Sequence, residues 1–498
     1  MTSLSGDAQG PRVARGALGG GSRMKDRLSS QAPASQAPGA GVYAGEVAAR
    51  LDRLPFTRTL WRFVTLIALG GVFELYDLFM TAYITPGFVR SGLFQASGAS
   101  FFSPHGVGFF VFSFFAGMWV GTVGFGFIAD RLGRRSIFTV SLVWYSLATL
   151  VMAFQTTPEM VCLWRFIAAI GVGLEQITID TFLPELVPPS GRGKAFAYYQ
   201  FVEFLVVPVV ALLGWLLVPR DILGLDGWRW VAIIGSVGAL FAWVFRLTLP
   251  ESPRWLALHG KTEQAEAIMQ RIEAGVSRDI GGPLPPPRPA VEELRAKSTF
   301  GELLRPPYGK RTLVLSIFNL TQTIAFYGFG SWVPTLLIAK GIHVTTSLMY
   351  SFIIALANPV GPLLGMLVAD RMERKWQLVI AGVCVGLFIT LFSLGVSPFW
   401  VIVFGVGVTL ANNWISFVFH GYQAEQYPTR IRARGVGFVY SWSRVSSALQ
   451  GLLIGFFLKE GGTIGVAMFI GVAMLVMCST IGFFGERTRH RSLEELSR

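Results

Sequence analysis

The chain has 498 residues, of which 52% are hydrophobic and only 14% are Asp, Glu, Lys or Arg. A soluble domain carries about 25% of these charged residues, so the composition excludes a soluble enzyme. The 42 Lys and Arg exceed the 29 Asp and Glu and give a net charge of +13, an excess that in a membrane protein marks cytoplasmic loops rather than a nucleic-acid partner.

Apolar runs long enough to cross a bilayer follow one another along most of the chain. A hydrocarbon core of about 30 Å requires about 20 apolar residues per helix. Runs of this length predict an all-α polytopic membrane protein with twelve transmembrane helices, called spans 1 to 12 below. They are expected at residues 60–84, 106–128, 136–154, 160–182, 195–218, 229–248, 312–338, 346–369, 376–396, 399–421, 434–457 and 463–484.

Basic residues decide the expected orientation. Lys and Arg crowd the loops after spans 2, 4, 8 and 10, and they are sparse in the loops on the other side. Because basic loops remain in the cytoplasm, we expect both termini to be cytoplasmic in a multi-pass protein of the plasma (inner) membrane.

The first 55 residues are rich in Gly, Ala, Ser and Pro and lack the apolar core of a signal peptide. They predict a disordered cytoplasmic tail over residues 1–55, in which we expect Met24 to be the true start.

Two other stretches are expected to be cytoplasmic. Residues 251–311 predict a linker in which Lys261–Ala274 forms an amphipathic helix, and residues 486–498 predict a short tail. The spans then fall into six-helix bundles at residues 56–250 and 312–485.

The two bundles repeat each other. Asp130 and Asp370 follow spans 2 and 8 at an offset of 240 residues. Glu185, Pro188 and Arg192 after span 4 recur at the same offset after span 10. Two halves in the same orientation predict a transport site near the midplane where the halves meet.

Several motifs carry a family resemblance. Residues 126–135 read GFIADRLGRR, residues 184–193 read PELVPPSGRG, and residues 250–256 read PESPRWL. Together these motifs resemble the major facilitator superfamily, over roughly residues 56–485. The resemblance implies a fold of two parallel six-helix repeats and transport by alternating access. Residues 327–337 read YGFGSWVPTLL and residues 441–444 read SWSR. These stretches look like those of the metabolite/proton symporters of aromatic acids and niacin, in the sugar-porter-like branch of the superfamily.

Neither a cofactor nor a metal is expected. Cys162, Cys384 and Cys478 lie far apart in apolar runs, so the pattern favours neither a disulfide framework nor a zinc site. The chain has no GxxxxGK[ST] motif, and ATP-driven pumping is therefore unsupported.

Ionisable residues at membrane depth are expensive and are functional candidates by default. Span 1 contains Glu74 and Asp77, and span 4 contains Arg165. The Tyr-Asp of span 1 and the Trp-Arg-Phe of span 4 resemble the proton-coupling pair of sugar-porter-like symporters, which implies coupling through Asp77 and Arg165, with Glu74 beside them. The alternative is a permanent ion pair that only fixes span 1 to span 4.

The loop motifs resemble the inner gate of the family. In that gate we expect Asp130 to cap a helix N-terminus and Glu185 to pair with Arg192. The second half departs from the motif at Met366 and Glu373, which predicts a weaker latch there. The candidate gating residues are Gly126, Asp130, Arg131, Gly133, Arg134, Arg135, Glu185, Arg192, Glu251, Arg254, Asp370, Arg371, Glu425 and Arg432.

The sequence does not favour a hexose as the substrate, because the residues with which sugar porters bind sugar in spans 5, 7 and 10 are replaced here. Arg444 in span 11 suits a carboxylate, since a guanidinium binds it through two parallel hydrogen bonds, although pairing with a nearby acid such as Glu175 is an equal alternative. The acids on the cavity side suit a cation as well. The candidate substrate residues are Gln176, Asp180, Glu203, Asn319, Gln322, Tyr327, Trp332, Trp414, His420 and Arg444.

We therefore predict a secondary transporter that couples proton entry to uptake of a small organic acid. Its expected partners are the substrate, the proton and the lipid bilayer, and it is expected to function as a monomer. The alternatives are a sugar or polyol symporter, a drug-efflux protein and a non-transporting sensor. An enzyme has least support, since no nucleophile, base and oxyanion donors occur at a recognisable spacing.

Overall fold

The computed structural model describes residues 40–95, 102–287, 300–363, 372–427 and 429–487. Spans 1 to 6 form the first half, and a two-stranded hairpin of β1 (Asp221–Ile222) and β2 (Leu225–Asp226) connects spans 5 and 6. The six spans occupy Arg58–Arg90, Val107–Leu132, Arg134–Ala153, Pro158–Leu186, Arg192–Phe204 with Val206–Leu217, and Gly227–Arg246.

The second half is built from helices at Tyr308–Gly330 with Val333–Ala339, Val344–Ala355, Arg374–Leu394, Pro398–Glu425 and Thr429–Ser479. The last has 51 residues and, at about 1.5 Å per residue, is more than twice as long as a bilayer core is thick. Gly462 interrupts it with the non-helical angles φ 58° and ψ −153°, which divides it into spans 11 and 12. Eleven described helices are long and apolar enough to cross a membrane, and this division gives the twelve predicted spans.

Three spans are broken where the sequence analysis expected continuous helices. Their first segments end at Phe204, Gly330 and Ala355. Each of these residues lies four positions before a proline, at 208, 334 and 359. A proline cannot donate the hydrogen bond that would satisfy the carbonyl four residues earlier, so the helix stops there.

The two halves contact each other on the side of the bundle opposite the termini. Gly108 of span 2 lies so close to Gly451 of span 11 that an added Cβ would be 2.9 Å from the Gly451 carbonyl oxygen. The hydroxyls of Thr85 and Thr335 are 3.5 Å apart on the same side. Small residues allow such close approach between helices, and the two halves touch at these positions.

Three short helices cover the opposite end, called the terminal side here, where span 1 begins and span 12 ends. They are α1 (Ala40–Asp52), α2 (Pro253–Leu258) and α3 (Thr262–Ile280). Apolar side chains of α1, α2 and α3 form one buried cluster that includes Val47, Leu51, Trp255, Met269 and Ile272. The prediction that residues 1–55 are disordered is therefore wrong for residues 40–52. Residues 1–39, including Met24, lie outside the described ranges.

Ion pairs fasten α1 to α3. The Arg50 guanidinium lies 2.6 Å from Glu266 and 2.7 Å from Glu273, and Arg53 lies 2.6 Å from Glu273. The hydrogen bonds from Arg50 lower the pKa of the Glu266 carboxyl to about 2. Asp279 near the end of α3 accepts the Thr59 backbone N–H at 2.7 Å, so this helical layer is joined directly to the start of span 1.

Candidate functional site

Asp77 and Arg165 form a fully buried ion pair between spans 1 and 4. Arg165 Nη1 lies 2.8 Å from Asp77 Oδ2, and its Nη2 donates to the Asp77 carbonyl oxygen and to Thr81 Oγ1, each at 2.6 Å. Thr149 Oγ1 donates to Asp77 Oδ1 at 3.0 Å, and the guanidinium lies 4.2 Å from the Phe114 ring centroid. A charge is tolerated in a protein interior only when an opposite charge and hydrogen bonds compensate it. Both members of this pair are compensated in that way.

Glu74 lies one turn before Asp77 and is 2% exposed. Its carboxyl group lies within electrostatic range of Tyr145 in the first half and of Tyr327 in the second half. Span 1 thus carries two buried carboxyl groups between the core of the first half and the interface with the second.

A second buried ion pair was not foreseen. Glu175 of span 4 pairs with Arg246 at the end of span 6, and Ser141 Oγ of span 3 lies 3.3 Å from Glu175 Oε2. The Arg246 guanidinium donates to the Phe138 carbonyl oxygen and lies 3.7 Å from the Phe138 ring centroid. Glu175 is therefore committed to Arg246 and is not the partner of Arg444, which was one of the alternatives.

Arg444 reaches from the second half to the first. Its Nη2 donates to Gln176 Oε1 of span 4 and lies 3.2 Å from the Tyr440 hydroxyl. The Tyr327 hydroxyl is within hydrogen-bonding reach of Arg444 as well. The structure thus brings together three of the predicted substrate residues, Gln176, Tyr327 and Arg444, at the junction of the halves.

Two further candidates flank this junction. His420 is exposed, and its ring centroid lies 3.9 Å from that of Phe419. It also lies within electrostatic range of Arg444. Glu203 of span 5 acts electrostatically on Tyr327. Both belong to the same region of the bundle as Arg444.

Other candidates lie elsewhere. Asn319 donates to Gln423 Oε1 at 3.3 Å, Gln322 donates to the neighbouring hydroxyl of Thr323 at 3.2 Å, and Trp414 donates to Gln377 at 3.2 Å. Trp332 is fully buried at the break of span 7. The side chain of Asp180 is outside the described part of the structure.

A cavity of about 30 Å³ lies between span 1 and spans 7, 8 and 10. Its polar lining comes from Ser351, Asn358, Thr409, Asn412 and Asn413, and the aromatic side chains of Phe79, Tyr83, Phe326 and Phe329 complete it. The polar residues of this lining were not predicted from the sequence. The signals available were the adjacent amides of Asn412 and Asn413 in an apolar span and the Asn-Pro pair at residues 358–359.

The broken helices shape this cavity. Gly330, Val333 and Ala355 flank the breaks of spans 7 and 8 and belong to its lining. Irregular backbone at membrane depth is tolerated where it lines a cavity, and transport sites are built from such discontinuous helices. The cavity is far smaller than a metabolite site.

On the terminal side, Glu251 holds the start of span 3. Its Oε1 accepts the backbone N–H groups of Arg134 at 2.9 Å and of Arg135 at 3.0 Å, which is the arrangement that stabilises a helix N-terminus. Gly133 has φ 99°, and an added Cβ would lie 2.5 Å from Glu251 Oε2. Glycine is therefore required at this turn.

The expected pairing of Glu185 with Arg192 is wrong. Glu185 lies 3.4 Å from Arg134 Nε, whereas Arg192 donates to the Val187 carbonyl oxygen at 3.3 Å. Arg192 begins the next helix and is turned toward the preceding loop. The cation that pairs with Glu185 is therefore Arg134, at the start of span 3.

The second half has the corresponding ion pair. Arg374 pairs with Glu425, and these residues stand at the 240-residue offset from Arg134 and Glu185. Arg254 of the first half pairs with Asp52 of α1. Asp370 and Arg371 lie outside the described residues, as do the side chains of Asp130, Arg131 and Arg432 and the packing around Gly126.

Two repeated six-span halves, a junction between them and ion pairs buried at membrane depth are the architecture of a membrane transporter. The family described as "Sugar (and other) transporter" matches residues 63–498. The putative metabolite transport protein YyaJ of Bacillus subtilis is 31% identical over 452 residues, which cover 89% of this chain and 96% of that protein.

Two further comparisons agree. The niacin transporter NiaP of Acinetobacter baylyi is 26% identical, with coverage of 91% and 99%. The solved structure of the major facilitator superfamily proton:xylose symporter XylE, from E. coli, has a TM-score of 0.65 and 20% identity, with coverage of 88% and 98%. The chain belongs to the major facilitator superfamily and is a multi-pass secondary transporter of the sugar-porter type.

Proposed function

We propose that the protein is a proton-coupled symporter that takes up a small organic acid by alternating access. Uptake would occur across the plasma (inner) membrane, with both termini in the cytoplasm and the monomer as the working unit. The substrate proposal depends on one observation: Arg444 of the second half reaches Gln176 of the first.

An arginine at this junction suits a carboxylate substrate. Arg444 is only 2% exposed, and its contacts include the neutral groups of Gln176, Tyr440 and Tyr327. A carboxylate that displaces Gln176 forms charge-assisted hydrogen bonds, which are roughly twice as strong as neutral ones. Its arrival would release the contact that Arg444 makes with the first half, so binding and movement of the halves are linked.

Asp77 supplies the proposed coupling site. Arg165 favours the carboxylate form of Asp77 while the two are in contact, and a conformation that separates them favours the protonated form. A change of contact between spans 1 and 4 would then take up or release one proton. The relative NiaP is named a niacin transporter and XylE a proton:xylose symporter, which is compatible with an acid substrate and with proton coupling.

A sugar or polyol is the second candidate. The cavity between spans 1, 7, 8 and 10 is lined by uncharged amides and hydroxyls together with aromatic rings. Amides recognise neutral hydroxyl groups as both donors and acceptors, so this lining favours a neutral ligand.

A thermal-shift screen of the purified protein separates the two candidates. Nicotinate and benzoate represent the acids, xylose and glucose the sugars, and choline the cations. A ligand at 100 times its Kd stabilises the folded state by about 2.7 kcal/mol. We expect stabilisation by the acids that is lost in Arg444→Gln and retained in Lys459→Gln, which removes one positive charge from the exposed end of the same span. Stabilisation by sugars but not by acids would overturn the substrate class.

A further inference from the structure

Span 3 carries a row of three hydroxyl groups on one face. Ser141, Tyr145 and Thr149 follow one another at intervals of four residues, so their side chains lie one above the other, a turn apart. All three residues are buried. The row, called the hydroxyl ladder here, extends over about 12 Å along the span.

The two ends of the ladder contact two of the buried carboxyl groups of the first half, Asp77 and Glu175. Thr149 Oγ1 donates to Asp77 Oδ1 at 3.0 Å, and Ser141 Oγ lies 3.3 Å from Glu175 Oε2. Asp77 is paired with Arg165, and Glu175 is paired with Arg246. The ladder therefore lies between two ion pairs that share no residue.

Tyr145 occupies the middle rung. Its buried hydroxyl forms no hydrogen bond with the described residues, although Asp77, Glu175 and Arg246 all act on it electrostatically. A cavity of about 10 Å³ lies beside it and is lined by Asp77, Tyr145, Thr149, Ser146 and Ser236 among others. This is close to the smallest volume that holds one water molecule, and the polar groups present are the partners such a water requires.

We propose that the hydroxyl ladder carries a proton between Asp77 and Glu175, which makes Glu175 a second proton-binding site. The proposal rests on the proposed function, because it takes Asp77 as the coupling carboxyl group. It accounts for features that a purely structural ion pair leaves unexplained, namely a buried hydroxyl without a partner among the described residues and a polar cavity next to it.

The proton balance is simple. Protonated Asp77 gives its proton to a water in the cavity, and that water gives one of its protons to the Tyr145 oxygen. The Tyr145 hydroxyl has no partner among the described residues, so it must first move to within hydrogen-bonding distance of Ser141. Its original proton then passes to the Ser141 oxygen, and the Ser141 proton passes to the Glu175 carboxylate, whose Oε2 lies 3.3 Å away. Each O–H bond that breaks is replaced by one that forms, so the net result is an Asp77 carboxylate and a Glu175 carboxylic acid.

The surrounding charges permit this exchange. Arg165 and Arg246 remain cationic throughout, and one carboxylate is present before and after the transfer, so the total charge of the group is unchanged. Span 1 comes close to the second pair at Gly70, where an added Cβ would lie 2.5 Å from Arg246 Nη2. Glu74 also lies within electrostatic range of Tyr145. The Tyr76 hydroxyl donates to the Val231 carbonyl oxygen at 2.7 Å. A shift of span 1 against spans 4 and 6 would therefore change both pairs together.

Time-resolved infrared spectroscopy of the reconstituted full-length protein tests the ladder without any substrate. After a pH jump, the C=O absorption of protonated carboxyl groups reports proton arrival. We expect Asp77→Asn and Glu175→Gln each to remove one component of this signal. We expect Tyr145→Phe, which keeps the ring and deletes only the hydroxyl, to retain both components and to slow the transfer between them roughly a hundredfold.

Tyr198→Phe is the matched control, since its hydroxyl lies 3.2 Å from Thr65 and away from the ladder; its rates should equal those of the wild type. Unchanged rates in Tyr145→Phe, or an unchanged signal in Glu175→Gln, would overturn the ladder alone. An unchanged signal in Asp77→Asn would overturn the coupling role of Asp77 and the ladder with it. Ser141→Ala interrupts the row at its other end and provides a test if Glu175→Gln fails to fold.

Discussion

Replacement of Asp77 by Asn keeps the size of the side chain and removes the negative charge beside Arg165. Breaking a buried ion pair costs about 3–5 kcal/mol, because the remaining charge stays buried without compensation. The Asp77 carbonyl oxygen, Thr81 and the Phe114 ring still contact Arg165, so we expect the lower end of that range, about 3 kcal/mol. The double variant Asp77→Asn/Arg165→Gln removes both charges and should recover most of this loss.

Thermal unfolding in detergent measures the stability, with Asp226→Asn as the control. Asp226 pairs with Arg229 at 3.4 Å in a half-exposed position on the β1–β2 hairpin, and such a pair contributes at most about 1 kcal/mol. In vesicles, Asp77→Asn should lose proton-driven accumulation of the acid identified in the thermal-shift screen and should retain its exchange across the membrane. If Asp77→Asn accumulates the acid as the wild type does under a pH gradient, the pair serves only to fix span 1 to span 4.

Three further outcomes are expected. Arg50→Ala should detach α1 and increase deuterium exchange over residues 40–52 at pH 7. The control is Arg271→Ala, which removes an exposed cation of α3 without a described ion pair and should leave the exchange unchanged. Unchanged protection from exchange in Arg50→Ala would show that the apolar cluster alone holds α1. The Glu266 carboxyl, whose pKa is lowered from 4.5 to about 2, contributes stability that is fully present above pH 4.5 and is lost as the pH falls toward 2. Protection of α1 should therefore be constant from pH 5 to pH 8, and a decrease in that interval would contradict the assignment. Gly133→Ala should lower the unfolding temperature, by the equivalent of about 1–3 kcal/mol, because its φ of 99° and the capping carboxylate both oppose a side chain. Gly193→Ala is the control, because Gly193 lies in a helix with open space around it, and there alanine should not lower the unfolding temperature.

Hydrophobic run length and the internal repeat were sufficient to predict the spans, because a bilayer fixes the length of a crossing helix. The same offset relates Arg134 and Glu185 to Arg374 and Glu425, which form equivalent ion pairs in the two halves. A proline stands four residues after the last helical residue at each helix break. Pro86 and Pro184, however, lie inside unbroken helices, so prolines alone do not locate the breaks.

Other features required the folded chain. α1 was hidden within a Gly- and Ala-rich tail, although Ala44, Val47, Ala48 and Leu51 follow a helical period and are buried. The pairing of Glu175 with Arg246 joins residues 71 positions apart, and no local pattern specifies it. The cavity lining depends on how span 1 packs against three spans of the other half, which periodicity alone does not determine.

Proton entry coupled to substrate is the most direct test of the proposed mechanism. Vesicles containing the purified protein and a pH-sensitive dye are given the acid that stabilises the protein, at equal pH on both sides. We predict that its addition acidifies the lumen in wild-type vesicles and that vesicles with Asp77→Asn show only the passive background. Equal acidification in the two preparations would contradict proton coupling through Asp77.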